Sequence, residues 1–98
     1  MALEKVQNLL PRMVQRAGIS RQLEASMVCE AVDKEIKRIF GDRLGGQAKA
    51  LYYRENTLTL AVLNSVLAQE IRFREAEMLD FLNKRFGEGK VERIRYLM

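Results

Sequence analysis

The sequence has no histidine and no tryptophan, one cysteine and one proline. Without histidine it lacks the residue most often used as a general base near neutral pH, and the commonest nitrogen ligand for metals. A single cysteine, Cys29, cannot build a Cys/His zinc cluster, and a Ser-His-Asp triad is ruled out. Nor can Cys29 close an internal disulfide, so the expected setting is a reducing cytoplasm. The glycine-rich stretch Gly41-Asp42-Arg43-Leu44-Gly45-Gly46 has neither the GxGxxG nor the GxxxxGKS/T spacing that cradles phosphates. Acidic pairs such as Glu75 and Glu77 point to different sides of a helix and do not converge as an acid–base couple. No apolar run approaches the ~20 residues of a membrane span, and the N-terminus carries no signal-peptide pattern, so no membrane role is expected. These absences argue against an enzyme and for a binding module that needs no cofactor and no metal.

The 98 residues suit one domain, 1–98, with a single two-layer core. Hydrophobic residues make up 48% and charged residues 31%, the composition of a folded chain. Seventeen Lys and Arg against thirteen Asp and Glu give a net charge of +4. With a pI near 9.5, that balance favours an anionic partner such as nucleic acid.

Val6, Leu9, Leu10, Met13, Val14 and Ala17 recur at helical spacing; Pro11 starts or kinks that helix, and Gly18 ends it. Ser20 is the expected N-cap of a second helix reaching about Phe40. Its buried stripe should hold Leu23, Met27, Val28, Ala31, Val32, Ile36, Ile39 and Phe40, with Cys29 as filler and Gly41 as the stop. Ala48–Tyr53 and Thr57–Leu63 read as two strands of a β-hairpin, with Leu58, Leu60 and Val62 facing the core. Asn64 or Ser65 then caps a long helix to Phe86, striped by Leu67, Ile71, Met78, Leu82 and Phe86. Gly87 and Gly89 end it, and Val91–Met98 alternates as a last strand. Helix, helix, strand, strand, helix, strand describes an α+β domain with helices on one face of a three-stranded sheet. The strand–helix–strand unit should cross over right-handed, and the neighbour of the last strand is left open.

Gly41-x-x-Leu44, Leu58-x-Leu60-x-Val62, Asn64-Ser65, Leu67-Ala68-x-Glu70-Ile71, Leu82-Asn83 and Val91-x-x-Ile94 together resemble the DciA-like family. The resemblance is strongest over residues 28–98. It implies a KH-like domain, binding of single-stranded or forked DNA, and a part in loading or operating the replicative DNA helicase of bacteria. Ile36 and Leu67 stand where the family commonly carries tryptophan. A KH domain clamps the nucleic-acid backbone with a GxxG loop. This sequence has Gly87-Glu88-Gly89 and no GxxG, so backbone contacts are expected from side chains.

Lys84, Arg85, Lys90, Arg93 and Arg95 outnumber Glu88 and Glu92 near the C-terminus. Strict alternation places Lys49, Leu51 and Tyr53 on one face of the first strand, and Arg93 and Arg95 on one face of the last. Lys49, Tyr53, Arg93 and Arg95 are therefore expected on the helix-free face of the sheet, with Lys84, Arg85 and Lys90 at its edge. Such a surface joins phosphate-neutralising charge to a ring that stacks on bases. Arg72 and Arg74 read as ordinary exposed helix charges. Two other readings stay open: a homodimerising or protein-interaction face built on Leu51 and Tyr53, and RNA in place of DNA.

Overall fold

The computed structural model describes residues 19–98. The helix expected at Val6–Ala17, with Pro11 and Gly18, lies outside the described residues. The described elements are α1 (Ile19–Gly45), β1 (Ala48–Arg54), β2 (Thr57–Val62), α2 (Ser65–Phe73), α3 (Glu75–Phe86) and β3 (Arg93–Leu97). They form an α+β domain of the KH-like kind, with a mixed sheet in the order β1-β2-β3. β1 and β2 pair antiparallel, while β2 and β3 pair parallel, so the last strand lies beside β2.

From Arg21 to Phe40, α1 has no glycine or proline and is rich in strong helix formers. Val28, Ala31, Val32 and Ile36 form its buried stripe. Opposite them β1 offers the small, buried side chains of Ala48 and Ala50, and helix and strand approach closely enough for the Asp33 carboxylate to accept the Ala50 N–H at 2.8 Å. Leu23 and Met27, expected in the stripe, are instead 50% and 49% exposed. Among the described residues, Met27 shares a small surface cavity with Arg85, in the last turn of α3. Ser20 falls inside the helix and not at its cap.

Gly41 breaks α1, with φ of 87° and ψ of 162°, a conformation that side-chain-bearing residues rarely adopt. The chain then folds back so tightly that a Cβ on Gly45 would stand 2.8 Å from the Lys37 Cα. These two glycines make the return into β1 possible.

The hairpin turns on Glu55 and Asn56, whose φ values of 52° and 63° are those of a two-residue type I′ turn. Asn64 caps α2, its side-chain oxygen accepting from the Val66 and Leu67 N–H groups at 2.8 and 3.2 Å. That resolves the choice between Asn64 and Ser65.

The single long helix expected from there to Phe86 is two helices, divided at Arg74 (φ −101°, ψ 11°). Neither proline nor glycine causes the break. The apolar stripe lapses after Ile71, because the positions three and four residues on are Arg74 and Glu75. Glu75 is instead drawn to the sheet, where it accepts a 2.7 Å hydrogen bond from the Tyr96 hydroxyl. The stripe resumes with Met78 and Leu82.

Leu58, Leu60, Val62, Leu67, Ile71 and Leu82 are all at most 1% exposed, and Val91 and Ile94 complete the core from the last segment. Ile36 and Leu67, where the resemblance leads one to expect tryptophan, are fully buried. Burial of each such aliphatic side chain contributes roughly 1.5–3 kcal/mol.

Candidate nucleic-acid interface

Residues paired across strands share a face of the sheet. Leu58 pairs with Ile94, and Leu60 with Tyr96, on the side the helices cover. The opposite side is left open by the described helices. It holds three cross-strand rows: Arg54–Thr57–Arg93, Tyr52–Thr59–Arg95 and Lys49–Ala61–Leu97.

The middle row departs from the sequence reading. Ala50 pairs with Leu60 but Tyr52 pairs with Thr59, so Leu51 is an extra residue and β1 carries a bulge. Beyond it the alternation is inverted. Tyr52 and Arg54 turn to the open face, and Tyr53 turns to the core side. Its hydroxyl donates to the Lys90 carbonyl and its ring packs against the core. Burial, with help from the Glu24 carboxylate, pushes the Tyr53 pKa up against the opposing Lys90, so the phenol stays a neutral donor. Strict alternation would have exposed this ring; the bulge allows its burial and leaves Leu51 46% exposed.

Lys49, Arg93 and Arg95 therefore share the open face as expected, and Tyr53 does not. Tyr52, 46% exposed, supplies the ring instead, and Arg54 adds a fourth cation. Thr59 lies on this face yet is only 1% exposed, flanked by Tyr52 and Arg95 in its row. The exposed cations Lys49, Arg54, Arg93 and Arg95 make no ion pair among the described residues.

The other expected cations lie elsewhere. Lys84 bridges to Asp80 at 3.0 Å along α3, and the Arg85 guanidinium lies 5.8 Å from the Phe86 ring centre. Both belong to the helical layer and not to the sheet edge. Lys90 reaches Glu24 of α1 at 3.3 Å and lines a cavity at the hairpin end with Arg54 and Arg21. It alone of the three adjoins the open face, through Arg54. Arg72 is exposed but not idle, its guanidinium lying 4.6 Å from the Tyr96 ring centre.

Tyr52 and Arg54 were not placed on the open face from sequence because their facing depends on the one-residue slip at Leu51, which leaves no mark on composition. The only local hint is the paired tyrosines: alternation must expose one of the two, and an inward Tyr53 finds a backbone acceptor. Among the described residues, no group of three or more Cys, Asp or Glu is placed to hold a metal ion.

A family model described as "Dna[CI] antecedent, DciA" matches residues 5–96. The chain belongs to the DciA family. No curated protein matches the sequence. The DciA family has a helicase-loader-related role in replication and is not one of known catalytic enzymes. Most of the residues that carry the resemblance fall here on core and cap positions, with Leu44, Ser65 and Glu70 exposed. Leu58, Leu60, Val62, Leu67, Ala68, Ile71, Leu82, Val91 and Ile94 are buried, and Asn64 caps α2. Asn83 clamps the entry to β3, donating to the Val91 carbonyl at 3.0 Å and accepting from the Val91 N–H at 2.8 Å. The buried residues that carry the resemblance thus secure the fold, while Lys49, Tyr52, Arg54, Arg93 and Arg95 of the open face are not among them. No helix among the described residues is long and apolar enough to cross a membrane.

Proposed function

We propose that this DciA-family chain is a single, non-enzymatic domain that binds single-stranded DNA on its open sheet face. In this reading it assists loading or regulation of the replicative helicase in the cytoplasm. One observation carries the DNA half: Lys49, Arg54, Arg93 and Arg95 surround the exposed ring of Tyr52 on one face, without carboxylate partners among the described residues. Guanidinium and ammonium groups neutralise phosphates, and a half-exposed ring stacks on any unpaired base at about 1–3 kcal/mol. The face offers no helix to enter a major groove, which favours an unstacked strand over a duplex. The helicase half rests on family membership.

Fluorescence anisotropy with single-stranded and forked DNA at two or more salt concentrations tests the DNA half. Four phosphate contacts predict a slope of log K against log salt of about −3 on single strands. No binding at low salt removes the claim, and tighter binding to RNA of the same sequence moves it to RNA. A pull-down against the host's replicative helicase, with and without DNA, tests the other half.

A second reading, a protein-interaction face, keeps one observation: Leu51 stands half exposed on the bulge beside this surface. Solution mass of wild type and Leu51→Asp separates the readings. Dimers lost with DNA affinity intact favour the interaction role.

A further inference from the structure

Cavities lie on both sides of Tyr52. On the open face, one of about 340 Å³ is lined by Tyr52, Arg54, Glu55, Thr57, Thr59 and Arg95. Over the free edge of β1, a groove of about 350 Å³ runs between strand and helix, lined by Arg21, Gln22, Ala25, Tyr52, Tyr53 and Arg54. The groove is walled chiefly by carbon, with the guanidiniums of Arg21 and Arg54 as its charges. Tyr52 stands as the partition between the two spaces, and Arg54 belongs to both.

We infer that a nucleic-acid strand crosses the β1 edge at this partition. One base sits in each cavity against Tyr52, Arg54 holds the phosphate joining the two nucleotides, and Arg21 holds the next phosphate on the α1 side. The inference rests on the DNA-binding reading above and adds to it a path and a two-nucleotide unit. The chemistry of each space supports it. Both are open slots beside an aromatic ring, suited to a flat base, and each has a guanidinium for the phosphate that accompanies it. A paired base cannot enter either one, so the crossing selects unpaired strands. The bulge at Leu51 is what makes the crossing available, because it turns Tyr52 and Arg54 outward together. Glu55 and Glu24 are the nearby carboxylates; Glu24 is already engaged by Lys90 at 3.3 Å. Glu55 borders the open-face cavity and leaves the groove free.

The test measures anisotropy of a labelled oligothymidylate of about ten nucleotides and of the same backbone with abasic sites throughout. Wild type should bind the base-bearing strand about five- to a hundredfold more tightly than the abasic one. Tyr52→Leu should lower affinity for the base-bearing strand and so erase that preference. Arg21→Gln should weaken binding severalfold and reduce the salt slope by about 0.7. If circular dichroism shows that Tyr52→Leu does not fold, Ala25→Met fills the groove while keeping the Tyr52 ring, and the preference should fall there too. Equal affinity of wild type for the two strands overturns the base slots and leaves the DNA-binding reading standing. So does an Arg21→Gln variant that binds like wild type while Arg95→Gln weakens: the strand then keeps to the open face. Failure of wild type to bind either strand at low salt overturns both the crossing and the reading beneath it.

Discussion

At Tyr53 the hydroxyl gives its hydrogen bond to the Lys90 carbonyl, and at Tyr52, one residue earlier, the ring is half exposed over the sheet. Adjacent and chemically identical side chains thus have separable duties. Tyr53→Phe should cost about 1 kcal/mol of stability by urea denaturation, the usual worth of a hydrogen bond, and leave affinity for single-stranded DNA unchanged. A loss of DNA affinity in a stable Tyr53→Phe variant would give this hydroxyl a part in binding. Sequence reasoning chose the wrong tyrosine for a physical reason. Period-2 alternation assumes an unbroken ladder, and the single extra residue at Leu51 inverts the facing of everything after it in β1. Lys49 comes before the slip; Arg93 and Arg95 belong to a strand that has none. All three were placed correctly.

Among the elements, α1, the hairpin and β3 were legible because helical and strand periodicities are distinct and their stops are chemically marked. Gly41 ends a helix, Asn64 begins one, and Glu55-Asn56 makes a two-residue turn. The division of the long helix at Arg74 was not legible. Its cause is a distant partner for Glu75, the Tyr96 hydroxyl, and no local breaker announces it. The Asn83 clamp is another such long-range device. With the Tyr53 hydroxyl on the Lys90 carbonyl and the Asn56 amide on the Gly89 carbonyl, it fixes where the chain leaves the Gly87–Gly89 loop and enters β3. Asn83→Ala removes both hydrogen bonds and leaves the part-buried Val91 amide groups without their partners. The expected loss is about 2–3 kcal/mol, read as a shift of the urea midpoint. Asn83→Asp keeps the acceptor for the Val91 N–H and should fall between the two. A midpoint unchanged by Asn83→Ala would mean that β3 is positioned without the clamp.

For the molecule as a whole, the family resemblance and the open face are carried by different residues, which is why membership was readable and the make-up of the open face only in part. Core leucines and caps repeat wherever the fold repeats, whereas the open face depends on side-chain direction at single positions. Global stability should also report on the helix–sheet contact at Tyr96. Burial, and then the hydrogen bond to Glu75, push the Tyr96 pKa well above that of a free phenol, with Arg72 opposing. An unfolded tyrosine ionises near pH 10. The folded protein therefore keeps a proton that the unfolded chain releases, so stability is intact below about pH 10 and declines as the pH rises further. Urea midpoints measured between pH 8 and 11 should fall in wild type and fall less in Tyr96→Phe, with Tyr53 contributing part of what remains. Identical profiles for the two proteins would remove Tyr96 from that account.

The carboxylate of Asp33 on α1 accepts the Ala50 N–H at 2.8 Å, and the Leu51 bulge bends the same rim. That one ladder N–H on the β1 border is therefore already engaged, while β3 at the other border has no strand partner beyond β2 among the described residues. A strand arriving from another chain would meet an occupied donor on one rim and unclaimed ones on the other, so β3 is the rim better suited to accept it.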